Sequence, residues 1–469
     1  MKKVQFFCIW IFFLTCFMET NVFGEIIEEI PPNGIVINTP GTYVFGNNIT
    51  WSPTSDAKAI TIQANNVVLD MQGFSLASIT TPFKTIGIFA LSSNDLQIIN
   101  GTVQNMGLYG IECNQCMDVS IKEVVIDGLT VNDTVIFTQP AGIIANTCMD
   151  VSINKCLIKN INVQVAAVSG IQFNITNGAK VTNTRIRNLL NRDGVCSGIG
   201  HLLSENILVK SCEIHRITTK FINNINTSGH TAIGILPFLS SNIKIVKCDI
   251  SDVTGCCDDA HGLSLFVCTN AIVKQCKVRG VLDGAGPAKT GAKATGIEVY
   301  ASGVTVSDCF VENIVAITPQ DLQAAGYSVA LANNVRFVRC KAKNVKVIDA
   351  KGETNPEVGI GIGFGWAPDP RPEFLFPATN ILYLDCTAEC CQVGFDSWDH
   401  IDSTWSNIVS RNNDIAILAD ENGSRTISCN ACSECGCLGF GCFPTPYVVT
   451  ITNQARNNIF DHVKVFSRH

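Results

Sequence analysis

Charge is scarce in this sequence. Asp, Glu, Lys and Arg make up 16% of its 469 residues, and the formal net charge is −7. That balance leaves no basic footprint for nucleic acid, although it says little about an anionic polysaccharide, where local charge outweighs the total. Missing too are a linker, a low-complexity tract and any shift of composition along the repeated part. Nothing therefore divides the chain, although 469 residues would ordinarily suggest two or three domains. Beyond the N-terminal segment no stretch has the roughly 20 apolar residues that crossing a bilayer takes. What is plentiful is hydrophobic residues, at 46%, and cysteine, at 23.

At the start, Lys2 and Lys3 precede an apolar run from Val4 to Phe17, and Val22-Phe-Gly24 offers a cleavage site before Glu25. The pattern predicts a signal peptide over 1–24, because the run is short for a spanning helix. Leu14-Thr15 before Cys16 makes a poor lipoprotein signal. The expectation is an exported, secreted or cell-surface protein with no membrane span after cleavage. Glu25–Pro32 is acidic and proline-bearing, and Ile35–Phe45 reads as a hairpin-like lead-in. Together they predict an N-terminal cap and entry to the first coil over 25–60, the cover being of the kind an open strand edge needs.

From Gly234 to Val345 one phrase is written four times. Gly234-Ile-Leu-Pro-Phe leads to Cys248, Gly262-Leu-Ser-Leu-Phe to Cys276, Gly296-Ile-Glu-Val-Tyr to Cys309, and Gly326-Tyr-Ser-Val-Ala to Cys340. Each copy holds short alternating segments separated by Gly or Asn: the period of a half-buried strand, with corner residues that tolerate positive φ. Val124, Cys156, Thr184, Cys212 and Cys386 hold the place of the cysteine in further copies, at intervals of about 30 residues, the period of a solenoid coil. A coil this short has no room for helices beside three strands, and the rule for parallel crossovers favours a right-handed turn.

These features resemble the right-handed parallel β-helix superfamily, the fold of pectin lyase. Val67-Val-Leu-Asp-Met-Gln-Gly-Phe74 is similar to an early-coil motif of that superfamily, and the resemblance spans roughly Ile35 to Val465. It implies an all-β, single-domain, right-handed parallel β-helix solenoid over 61–469. The superfamily includes lyases, hydrolases, epimerases, phage tailspikes and adhesins. The implied function is therefore a polysaccharide-binding protein that cleaves or epimerises its ligand, with a non-catalytic surface rod as the alternative.

The cysteines fall into groups. Cys8 and Cys16 lie in the leader. The ladder members Cys156, Cys212, Cys248, Cys276, Cys309, Cys340 and Cys386 share their place with Val124 and Thr184, neither of which bonds to sulfur, so free buried thiols are expected there. Cys113/Cys116, Cys256/Cys257 and Cys390/Cys391 sit at corners and are the better disulfide candidates. The run Cys429, Cys432, Cys435, Cys437, Cys442 reads either as a zinc or iron–sulfur site or as a last coil closed by local disulfides; the second is favoured, because the fourth ferredoxin spacing and its proline are missing. Sequons occur at Asn48, Asn100, Asn132, Asn174, Asn226 and Asn422.

Aligning the copies on their Gly places chemistry-bearing residues side by side. His230 and Asp258 fall four residues before it, Asp259 and Lys293 three before, His261 one before, and Ser264 and Glu298 two after. With coils about 4.8 Å apart, Asp258, Asp259, His261, Lys293 and Glu298 form a candidate catalytic strip, with His230, Ser264 and Lys289 as substrate-binding neighbours. Asp283, Lys289 and Asp369 are expected on the rim. Asp396, Trp398, Asp399 and His400 form a second candidate sugar-binding group. Paired carboxylates suit acid–base work on a glycosidic bond, and a lysine of near-neutral pKa suits proton abstraction beside a uronate carboxylate. No metal ligand is assigned; calcium is the ion such chemistry would call on. Cys257-Asp-Asp-Ala-His-Gly262 is similar to pieces of polygalacturonases, but the Asn-Thr-Asp element of that family is not evident, nor are the calcium-binding acids and catalytic Arg of pectate lyases. On this reading the strip is exposed, so Asp259→Asn and Lys293→Ala should each leave folding nearly intact.

Overall fold

The computed structural model describes residues 24–79, 84–130, 139–192, 194–220, 230–256, 259–284, 293–317, 322–349, 352–354, 359–365, 378–397, 400–418 and 459–466. Among them there is no helix, and every paired strand runs parallel to its partner in the next coil. Three strands make a coil. In one coil, strand Asp259–Lys274 turns a corner within its own length and is followed by Lys277–Gly284, before Lys293–Ser307 begins the next. Winding is already under way within residues 25–60. Glu25–Ile27 lies parallel to Gly41–Phe45, and Ile35–Ile37 to Lys58–Ile62, so Ile35–Phe45 is no hairpin but part of the first coil.

The repeated glycine has a physical reason. Gly87, Gly110, Gly142, Gly170, Gly198, Gly234, Gly262, Gly296, Gly326, Gly363 and Gly394 stack in one column, where a Cβ would meet the next coil's backbone oxygen at 2.3–2.7 Å. Only a residue without a side chain fits so close an approach. Corners are turned at positive φ, mostly by Asn and Asp.

The cysteine ladder is as expected: Cys156, Cys212, Cys248, Cys276, Cys309, Cys340 and Cys386 are free and buried. Each thiol donates to the carbonyl two residues back, and to one in the preceding coil, as Cys276 does to Lys274 at 3.5 Å and Ile245 at 3.7 Å. Thr184 makes the same local bond at 3.0 Å. The column therefore favours a small side chain with one hydrogen to give, and Val124 shows that the bond is dispensable. Cys113, Cys116 and Cys391 are free, against the disulfide expectation, while Cys390 is disulfide-bonded. The leader, Cys257, the Cys429–Cys442 run and the sequons at Asn132, Asn226 and Asn422 lie outside the described residues.

Candidate functional site

One face of the coil carries the ladder glycines, and its outward residues are buried as well as its inward ones. Towards its two ends many of these outward residues are apolar, as in the cluster Ile86, Phe89, Leu108, Tyr109, Ala141 and Ile144 and the cluster Ile362, Val393 and Ile415. Between the two clusters stands a small polar grid. In the column just before the glycine, His261 lies opposite Thr295; in the column two after it, Ser264 lies opposite Glu298, and Glu298 opposite Ser328. Ile233 borders the grid on one side, Ala325 and Gly365 on the other. Lys293 and Asp259, paired across adjacent coils, close its near edge.

The contacts are direct. Ser264 Oγ donates to Glu298 Oε2 at 2.7 Å, and Lys293 Nζ donates to Glu298 Oε1 at 2.5 Å. His261 stands between two carboxylates, with Nδ1 3.5 Å from Glu298 Oε2 and Nε2 3.6 Å from Asp259 Oδ2. Among these groups Asp259 is the open one, its side chain 37% exposed where that of His261 is 5%. Thr295 Oγ1 and Ser328 Oγ are buried in the same grid without a hydrogen-bond partner.

Burial and charge pull against each other here, and charge prevails. Burial raises the Glu298 carboxyl, but His261 and Lys293 outweigh it and hold Glu298 down at about 2. Burial lowers Lys293, yet Glu298, Tyr300 and Asp259 lift it above its ordinary value. His261 is lowered by burial and raised further by Glu298 and Asp259, ending above its ordinary value. Lys293 is thus a fixed cation rather than the near-neutral base expected of it, and Glu298 a fixed anion. His261 is the member whose proton is exchangeable near neutrality.

The remaining expected residues scatter. Asp258, Lys289, Asp369, Trp398 and Asp399 lie outside the described residues. His230 is buried two residues before Ala232, in the coil preceding the grid, where Thr219 donates to its carbonyl. Asp283 is fully buried opposite Gly255 and Ala316, not on a rim. Asp396 is buried in the same column as Glu298, three coils on. His400 is buried among core side chains, bonded through Nε2 to the Tyr383 hydroxyl at 2.9 Å and with its ring 5.3 Å from Trp405, so it cannot face a sugar. Thr295 and Ser328 escaped notice, as did an outward aromatic column beside the grid, Phe238, Phe266 and Tyr300, with centroids 5.5 and 5.3 Å apart. Their common offset of four residues from the ladder glycine was the available signal. Calcium has little room in this donor set: both Glu298 oxygens are engaged, and an ammonium lies among them.

Residues 141–342 match the family described as "Right handed beta helix region". The fold is a right-handed parallel β-helix. No curated protein matches the sequence. Among solved structures, the A-module of the mannuronan C-5 epimerase AlgE6 of Azotobacter vinelandii is similar at 13% identity and a TM-score of 0.34, over 83% of this chain and 91% of that one. The tailspike of E. coli bacteriophage HK620, in complex with a pentasaccharide, is similar at 12% identity and 0.40, over 91% and 74%. Pectate lyase Pel9A is similar at 11% and 0.34, over 67% and 79%. The likeness is one of fold.

Proposed function

We propose that this chain is an exported β-helix protein that binds a polysaccharide across the grid face and transfers a proton to or from it through Asp259 and His261. The observation that carries the reading is the line Asp259–His261–Glu298–Lys293: an open carboxylate, an exchangeable imidazole behind it, and a buried ion pair that fixes the imidazole's charge. Glu298 holds constant charge, orients His261 and favours its protonated form, and Lys293, although it opposes that form, anchors Glu298. His261 gives its proton towards Asp259 and the ligand, or takes one back. Two-carboxylate hydrolysis is less well supported, because Asp259 is the sole carboxylate of the described cluster with appreciable exposure. Proton transfer beside a sugar carboxylate, as in lyase or epimerase chemistry, needs one such group.

The rod reading draws on a different observation. The same face carries a second buried polar group, Gln139, Ser169, Gln172 and Ser197, joined by hydrogen bonds of 2.6–3.0 Å and without a charge among them. Polar clusters can therefore serve this face as packing alone. A panel of neutral and uronate polysaccharides, followed for unsaturated uronate, reducing ends and binding, separates the two. Turnover or binding that Asp259→Asn abolishes supports the first; no response to any polysaccharide supports the rod.

A further inference from the structure

Residues other than glycine that turn corners at positive φ in this protein are nearly all polar. The aliphatic exceptions are Ile175, Leu203, Leu239, Val267 and Leu331, and every one stands five residues after a ladder glycine. Four of them follow one another without a gap. Ile175 donates its backbone N–H to Leu202 of the next coil, Leu203 to Phe238, and Leu239 to Phe266, so the corners stack directly. The run stops at Val267 because the following coil lacks the corner residue: Phe266 pairs with Tyr300, and Cys268 already with Ala301.

These four positions are unfavourable twice over. Their φ values are 50–53°, a region that side chains branched at Cβ, such as Ile175 and Val267, avoid for steric reasons. Their side chains are 58%, 50%, 41% and 52% exposed. Asn or Asp, used at most other corners of the same protein, would relieve both. Strain and exposed apolar surface gathered in one column point to a surface that is covered in use.

We propose that this ridge is where a second copy of the chain docks, side by side, with ridge against ridge. With Phe266 the four side chains expose on the order of 450 Å², within the range of a monomer's largest and often functional patch and over half of what one partner gives to a standard interface. The flank beyond the ridge is Asn177, Glu205, Ser241 and Thr269, followed by hydrogen-bonded Asn206 and Asn242, with the exposed Lys180 and Lys244 further out on the same flank. A polar, charge-poor rim around an aliphatic centre is the composition of a protein–protein contact. The ridge repeats at the coil spacing of about 4.8 Å, and a second β-helix is the partner whose own ridge repeats at that distance. The inference is independent of any glycan reading of the grid.

Sedimentation velocity of the full chain tests it. At roughly 100 μM, well above the dissociation constant expected for an interface of standard size, the wild type should sediment with twice the mass of one chain. Leu203→Asp with Leu239→Asp should sediment as a monomer and melt no lower than the wild type, because Asp accepts positive φ. A monomeric wild type overturns the proposal, including the case in which it floats with phosphatidylcholine vesicles or binds a polysaccharide through the ridge. A double variant that keeps the wild-type mass overturns it equally.

Discussion

Lys293 and Glu298, five residues apart on one strand, meet at 2.5 Å between Nζ and Oε1, with Glu298 buried and the Lys293 side chain only 12% exposed. The sequence led to an exposed Lys293 whose loss would cost little; the ion pair reverses that. Lys293→Ala leaves Glu298 buried without its cation, which typically destabilises by about 3–5 kcal/mol. Asp259→Asn changes a group at the open edge and should cost under about 0.5 kcal/mol. Urea unfolding of the two variants checks the contrast, and equal midpoints would contradict the buried pair.

The same cluster sets a pH window. His261 is held above its ordinary value, so its contribution to stability is complete below about pH 6.5 and fades as pH rises through the higher folded value. Glu298 is held at about 2, so its contribution is complete above about 4.5 and fades as pH falls towards 2. The contributions of these two groups are both complete between about pH 4.5 and 6.5. Asp259→Asn removes one of the carboxylates raising His261, and its imidazole should then titrate lower. Proton NMR of the ring C–H signals reads this directly, and an unshifted His261 would remove Asp259 from the line.

Much of this was legible in the sequence, and the reason is periodicity. Aligning copies on the ladder glycine put Ser264 opposite Glu298 and Asp259 opposite Lys293, as the strands pair, because each coil repeats one register. Val124 and Thr184 identified the cysteine column correctly for a similar reason: a stacked site tolerates what fits it. Depth was not legible. Glu298 stands on the outward side of its strand, and alternation alone says that it is wet, yet it is buried. His400 failed differently. It follows a short strand and a tight corner, after which the face of the next strand, whose His400 packs on Tyr383, cannot be counted from Gly394. Ile35–Phe45 looked like a hairpin because two short strands with a turn between them read alike whether they pair with each other or with coils above.

The thiols should sort by depth. Burial pushes Cys156 and Cys268 up to about 11 and Cys196 up to about 12, so these carry little thiolate at neutral pH. Cys256 is half-buried, whereas the free cysteines of the ladder are buried. Iodoacetamide on the native protein, with peptide mapping, should label Cys256 well before the ladder, and urea should equalise them. Early labelling of Cys276 or Cys309 would mean that the coil opens locally.

His201 offers the sharpest test of the core. It is buried inside the coil, its ring stacked on Phe173 at 4.9 Å, and neither ring nitrogen has a hydrogen-bond partner. Burial alone lowers it to about 3. Below about pH 6.5 the unfolded chain takes up a proton that the folded chain refuses, so stability falls by about 1.4 kcal/mol for each unit down towards pH 3. Glu298 adds little to that slope above about pH 4.5, and Glu112, which burial raises, opposes it in the wild type and in a His201 variant alike, so the difference between the two isolates His201 between about pH 6.5 and 4.5. His201→Leu removes two unsatisfied nitrogens and the titration together. It should gain about 1 kcal/mol or more at pH 7 and flatten the stability profile across that window. Urea midpoints at pH 7, 6 and 5 for the wild type and the variant measure both effects. A variant that is weaker at pH 7 and keeps the wild-type slope would show that the imidazole is satisfied in the folded protein and that the acid sensitivity arises elsewhere.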